Sequence, residues 1–262
     1  MAEQPRWVDP HEGFEYEPES VTVGREKQAG KLTLCGIDPD LYGNTVDASF
    51  FIGLAIRAGV VSGISAEGNV NMLQSLVQHR PALLDEPLLV RGRITAVTPV
   101  PRGRTIDTDV WFEDEAGERV ITARRRSLKP DPEASGRGAG ERPPPVLAAP
   151  DTAEVCSTHG LTPEIVVAYS EPGNSIHYDP EAARRAGFRA PLIGGGMGVH
   201  YLMAALYAAG PLQRFDLDIY FRRPIFWDDT FDVVREESAI GLLRRDGGLT
   251  KVLTEARINS MQ

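Results

Sequence analysis

Residues 129–150 read KPDPEASGRGAGERPPPVLAAP, and no other stretch limits what this chain can fold into so strongly. Proline fixes φ and lacks an N–H, and the segment offers little apolar surface to bury, so it can build neither a helix nor a central strand. It reads as a linker between residues 1–128 and 151–262, two parts of similar size. A chain of 262 residues is long enough for each part to hold a modest core of its own.

The two parts share an order of events. In the second, a loop through Glu171, Gly173 and Asn174 leads to a short helical stretch, PEAARRAG, and to a glycine run, Gly194-Gly195-Gly196. The following MGVHYLMAALYAAG is spaced as a buried helix, and Gly210-Pro211 stops it. Strands are expected in FDLDIYFRRPIF, DTFDVVREESAIG and TKVLTEARI, with Asp246-Gly247-Gly248 turning into the last. The first part repeats this more loosely. FFIGLAIRAG is followed by the loop Ser62-Gly63-Ile64-Ser65, a helix through NVNMLQSLVQ, and strands in LLVRGRITAVTPV, RTIDTDVWFED and ERVITARRRSLK. The match of Arg57-Ala58-Gly59 with Arg185-Ala186-Gly187 marks the expected register between the parts. A helix followed by antiparallel strands, twice over, implies an α+β architecture. A helix wrapped by a curved antiparallel sheet is the hotdog unit, so the expected fold is a double hotdog.

Composition narrows the function. The net charge of −9 argues against a nucleic-acid groove. The densest basic run, Arg124-Arg125-Arg126, is either a solvated strand edge or a phosphate contact, and it suits the phosphates of a coenzyme A better than a duplex. Cys35 and Cys156 stand far apart with no metal-ligand spacing, so neither a disulfide framework nor a metal is expected, and nothing calls for a cofactor. The first residues lack the apolar core of a signal peptide, and no run approaches the roughly 20 apolar residues that span a membrane. The expectation is a cytoplasmic protein with no membrane partner.

The chemistry is concentrated in Tyr169 to His200, YSEPGNSIHYDPEAARRAGFRAPLIGGGMGVH. This stretch resembles the signature of the MaoC-like (R)-specific enoyl-thioester hydratases and dehydratases, roughly Y-x-x-x-S-G-D-x-N-P-I-H-x-D, then A-x-x-x-G-F, then P-I-x-H-G-M. Ser170, Asn174, Ile176, His177, Asp179, Ala183, Gly187, Phe188, Pro191 and Gly195 match without a gap, and Met197 comes one place late. FRRPIFWDDTF resembles the family's strand, turn and "GDT"-like segment, so the likeness covers most of residues 160–258 and the first part only by organisation. The IHYD run is also similar to a branch that contains 3-hydroxyacyl-thioester dehydratases and mesaconyl-type CoA hydratases.

The resemblance implies water addition to, or removal from, an enoyl or (3R)-hydroxyacyl thioester of coenzyme A or acyl carrier protein, with His177 as general acid and base. A histidine titrates near neutral pH and can take a proton from water and return one. Backbone N–H groups at a helix start can hold the charge that develops on the thioester oxygen. The resemblance gives that role to the glycine run, to Gly195 foremost with Gly196 beside it, where a missing side chain allows close approach. Alone, a histidine beside a tyrosine would read as structural. Asn174 divides between fixing its loop and contacting the catalytic water, Asp179-Pro180 reads as a helix cap, and His200 reads as a packed side chain in an apolar helix. His11, His79 and His159 fall outside any motif.

Two departures matter. The family's acidic partner belongs at the position of Pro172, which has no titratable group, and Glu171 is the nearest replacement. In the branch just named, that position can carry an amide. Gly194 replaces the histidine of the family's His-Gly pair. The first part has no counterpart of His177, which is the division seen where one hotdog keeps the catalytic groups and the other opens into an acyl tunnel; Phe50 to Ile56 and the segment around Met72 are either its walls or plain core. Other thioester chemistry on this scaffold (hydrolysis, isomerisation, decarboxylation or cyclisation) and a non-catalytic acyl-thioester binding subunit remain alternatives. A two-lobed unit within one chain suffices as a monomer, and a homodimer is the favoured assembly.

Overall fold

The computed structural model describes residues 7–134, 140 and 142–262. The first lobe runs β1 (Glu19–Val21), α1 (Arg25–Leu34), α2 (Phe50–Val61), β2 (Val70–Gln78), β3 (Leu88–Val100), β4 (Gly103–Glu113) and β5 (Arg119–Pro130). The second runs β6 (Glu154–Gly160), α3 (Pro163–Tyr169), α4 (Pro180–Arg185), α5 (Gly195–Tyr207), β7 (Phe215–Phe221), β8 (Thr230–Glu236), β9 (Ala239–Asp246) and β10 (Leu249–Met261). Among the described residues ten strands join in one sheet, ordered β1-β3-β4-β5-β2-β7-β10-β9-β8-β6, with antiparallel pairing between neighbours. Outward from the β2/β7 seam, the lobes follow the same course: β2-β5-β4-β3-β1 and β7-β10-β9-β8-β6. Each lobe packs one long apolar helix against its strands, α2 on β3 and β5, α5 on β8 and β9, and the two helices touch. This is the α+β double hotdog that the repeated element order implies.

α5 forms because its residues are apolar on nearly every side and it lies between sheet and partner helix. Met197, Val199, Leu202, Met203 and Leu206 are all buried, each worth about 2 kcal/mol of burial. The helix ends where Gly210 takes a φ of +139°, a conformation that residues with side chains avoid. A polar cluster ties the lobes together beneath it. His200 on α5 meets Asp47 Oδ2 (2.7 Å) and Ser49 Oγ (2.5 Å) through Nδ1, and the Tyr169 hydroxyl (2.7 Å) through Nε2. Both ring nitrogens of this buried histidine are therefore satisfied, as its place in an apolar helix demands.

Two expectations are corrected. NVNMLQSLVQ is not a helix but β2. Its apolar Val70, Leu73, Leu76 and Val77 follow helical spacing, yet hydrogen bonds to β5 on one side and β7 on the other fix it as a strand, and the residues it buries most fully are Gln74, Leu76 and Gln78. The register between the parts also differs. Arg57-Ala58-Gly59 lies within α2, whereas Arg185-Ala186-Gly187 closes α4, an extra turn in the loop before α5. α2 corresponds to α5.

Residues 135–139 and 141, in the expected linker, lie outside the described residues. Beyond them the chain lies on the second lobe. The N–H groups of Val146 and Leu147 donate to Glu255 (3.0 and 2.9 Å), and Arg222 donates to the carbonyls of Pro143 and Pro144 (2.9 and 2.7 Å). Among the described residues no helix is long and apolar enough to cross a membrane.

Candidate active site

The β2–β7 ladder runs from Gln78↔Phe215 to Leu73↔Tyr220 and goes no further. Beyond Leu73 a cavity of about 660 Å³ opens, lined by α2, the ends of both seam strands, the loop before α4 and the glycine turn before α5. Phe50, Ile52, Leu54 and Ile56 form its apolar wall, and Met72 reaches it from a strand rather than a helix. Its volume suits a small organic ligand.

His177 enters on a single 3-10 turn, Ser175–His177, anchored by the buried Ile176. Asp179 caps the next helix, accepting from the Glu181 N–H at 2.8 Å with Pro180 in the first turn. The His177 Nδ1 lies 2.8 Å from the Leu192 carbonyl oxygen. A carbonyl can only accept, so Nδ1 carries the proton and Nε2 keeps its lone pair. That Nε2 faces the glycine turn, 3.7 Å from the point a Cβ on Gly194 would occupy. Burial lowers the imidazole pKa below its ordinary 6.5, against upward pulls from the Leu192 carbonyl and the charge of Glu67. The ring is held neutral, oriented by main chain where the family pattern calls for an acidic side chain.

Gly195 and Gly196 open α5, with Gly194 as its cap, and among the described hydrogen bonds their N–H groups have no acceptor. Gly195 has a steric reason to be glycine. A Cβ there would stand 2.8 Å from Asn71 Nδ2 and 3.0 Å from the Phe221 ring. At Gly196 the nearest atom would be the Ser49 carbonyl oxygen at 3.7 Å, an ordinary contact.

Asn174 lines the cavity and makes no side-chain cap; its Oδ1 is buried without a partner. Glu171 is on the cavity lip, but its carboxylate is exposed and paired with Lys27 (3.1 Å) and Lys31 (3.8 Å). Among the described contacts none joins it to His177. The three consecutive arginines divide: Arg124 and Arg126 pair with Asp109 and Asp107, while Arg125 turns into the cavity. There its Nη1 donates to Asn71 Oδ1 at 3.2 Å. Sequence reasoning missed the Leu192 carbonyl and Asn71, and it named Arg125 only as part of a basic run, either a solvated strand edge or a phosphate contact. The first is main chain and the second comes from the lobe outside the motif, so no local pattern announced either.

No protein-family model and no curated protein sequence matches the chain. Solved structures do. HtdX from Mycobacterium tuberculosis is 20% identical, with 92% of this chain and 97% of that one covered and a TM-score of 0.73. A MaoC-like dehydratase from Phytophthora capsici is 16% identical over 94% and 95% of the chains, with a TM-score of 0.65. A candidate oleoyl thioesterase from Lactobacillus plantarum is 12% identical over 94% and 95%, with a TM-score of 0.60. A further match is itself described as a double hotdog. Identities this low establish architecture, and the architecture hosts more than one chemistry. In fold, the chain is a double hotdog of the kind seen in HtdX and the MaoC-like dehydratases.

Proposed function

We propose that the protein adds water to, or removes it from, an enoyl or (3R)-hydroxyacyl thioester. The observation that carries this reading is the His177 Nε2, left basic by the Nδ1 bond to Leu192 and set beside Gly194, the cap of α5, whose first N–H groups have no acceptor among the described hydrogen bonds. Hydration then proceeds as follows. Nε2 takes a proton from water, and the water oxygen bonds to the β-carbon while the α,β π pair shifts toward the thioester carbonyl. The resulting enolate oxygen rests on the N–H groups of Gly195 and Gly196. The imidazolium returns its proton to the α-carbon, and the sum is one added water. Asn174, whose Oδ1 lacks a partner, accepts a hydrogen bond from that water and aims it. Glu171 belongs to the lip, where its pairing with two lysines sets the local charge.

The carrier is read from the same cavity. Among its described lining residues Glu171 alone is acidic, while Arg102, Arg126, Arg142, Arg222 and Arg223 also line it. Arg126 is paired with Asp107 and Arg222 with Glu255. Arg102, Arg142 and Arg223 have no acidic partner among the described residues, and they support a phosphate-bearing thioester, coenzyme A or the phosphopantetheine of acyl carrier protein.

The test is a mass-spectrometric assay with enoyl-CoAs and (3R)-hydroxyacyl-CoAs. Gain or loss of water is expected, reduced about 10²- to 10⁴-fold in His177→Ala and much less in Glu171→Gln. Release of free thiol with no water exchange would assign thioester hydrolysis instead, and intact binding without turnover would assign a carrier role.

A further inference from the structure

Asn71 comes from the lobe that supplies no histidine to the site, and the chemistry above leaves it unused. It stands where β2 holds an extra residue against β5: Asn71 pairs with Ser127, but Leu73 pairs with Arg126. Such a bulge turns a side chain out of the strand's alternation. Since pairing with β7 starts only at Leu73, Asn71 lies where the seam parts.

Its amide is held one way round. Arg125 Nη1 donates to Oδ1 at 3.2 Å, and a guanidinium can only donate. Nδ2 therefore turns away from Arg125, and it lies 2.8 Å from the Cβ position of Gly195 at the start of α5. Among the described hydrogen bonds, Nδ2 has no acceptor. Arg125 has no acidic partner among the described residues, and burial pushes its pKa down. An unpaired cation in a cavity wall is costly to desolvate, and a purely structural asparagine would not require one.

We infer that Asn71 is a third donor to the thioester oxygen, beside the N–H groups of Gly195 and Gly196, and that Arg125 is its positioning residue. The inference rests on the hydratase reading and deepens it. Asn71 transfers no proton and forms no bond to carbon. Its N–H strengthens its hydrogen bond as negative charge gathers on the oxygen, and the Arg125 cation polarises the amide in the same direction. The first lobe then contributes to catalysis as well as to binding.

A probe that cannot add water separates this inference from the reading beneath it. 3-Oxobutanoyl-CoA has an enolate whose ultraviolet absorption differs from that of its ketone, so the bound fraction in each form is read directly. The wild-type protein is expected to shift the ligand toward enolate. Asn71→Ala should lower that equilibrium constant about 100-fold, and Arg125→Gln, which frees the amide to rotate, should lower it less. In hydration assays kcat should fall in parallel, with KM nearly constant. Asn71→Ser keeps a shorter donor and recovers part of the enolate, which distinguishes a lost donor from a lost fold. A wild-type protein that holds the ligand as ketone, or an Asn71→Ala variant that enolises it equally well, overturns the inference. Asn71-dependent enolisation without water addition would sustain the donor and remove the hydratase reading; water addition indifferent to Asn71 would do the reverse.

Discussion

Gly195 and Gly196 are adjacent, both open α5, and both keep their N–H when changed to alanine, yet the structure predicts opposite outcomes. In Gly195→Ala the new methyl meets Asn71 Nδ2 at 2.8 Å and the Phe221 ring at 3.0 Å. Ordinary contact lies near 3.5 Å, so the amide must retreat by roughly 0.7 Å. Displacements approaching 1 Å at a reacting centre cost on the order of 100-fold in rate, so kcat should fall about 10- to 100-fold. In Gly196→Ala the methyl meets only the Ser49 carbonyl oxygen at 3.7 Å, and nothing has to move. Alanine also restricts the unfolded chain, which should stabilise this variant by about 0.5 kcal/mol, a rise of about 1–2 °C in Tm for a chain of this size. Initial rates of enoyl-CoA hydration and thermal unfolding of both variants provide the comparison. Equal losses in the two variants, or a fully active Gly195→Ala, would refute the assignment of the crowded side of α5 to the reacting carbonyl.

Two further outcomes follow from burial. In the proposed hydration the base form of His177 is the working one, and burial lowers its pKa below the ordinary 6.5, so activity should persist below pH 6.5 and decline only as pH falls through the lowered value; a limb above 6.5 in the pH dependence of kcat/KM would contradict the desolvated imidazole. Asp47 is buried against His200 and Ser49 at the junction of the lobes, so Asp47→Ala should cost about 3 kcal/mol in denaturant unfolding by stranding a buried partner, and a cost under about 1 kcal/mol would show that the cluster does not staple the lobes.

The architecture was legible because it is written twice. The glycine turn followed by an apolar helix, and the hairpins after it, set the second lobe; in the first lobe the hairpins were legible, but the apolar helix is α2, before the small-residue loop, and the segment after that loop is β2. β2 was misread for a physical reason. A strand paired on both edges in the middle of a large sheet receives its hydrogen bonds from β5 and β7, and those bonds, invisible in local spacing, outweigh a pattern that favours a helix. The Arg-Ala-Gly match misled because α4 has no partner in the first lobe, so a tripeptide at its end has nothing to align with. Within the site, His177 and the glycines lie on one continuous segment and could be found there. Glu171 could be named from the same segment, but only the fold shows its carboxylate engaged by Lys27 and Lys31 on α1, a helix remote in sequence.

Pro172 poses the sharpest question, since it stands where an acidic partner of the histidine was expected. Such a partner fixes the ring, selects the tautomer and offsets the charge of the imidazolium. Here the Leu192 carbonyl performs the first two tasks at 2.8 Å, and it does so with an atom no substitution removes. Leu192 is itself held in place by a bridge to Phe226 and by its N–H on the Ile176 carbonyl. A neutral acceptor offsets the imidazolium less than a carboxylate would, which is why burial can carry the pKa of His177 downward instead of up. In the proposed hydration that trade favours the proton-accepting half of the cycle: the resting ring would take a proton from water, and the imidazolium, lacking a carboxylate to hold its proton, would give it readily to carbon. In the proposed reaction the compensation falls on the substrate's oxygen, on the wall where Gly195 meets Asn71 with Arg125 bonded behind it.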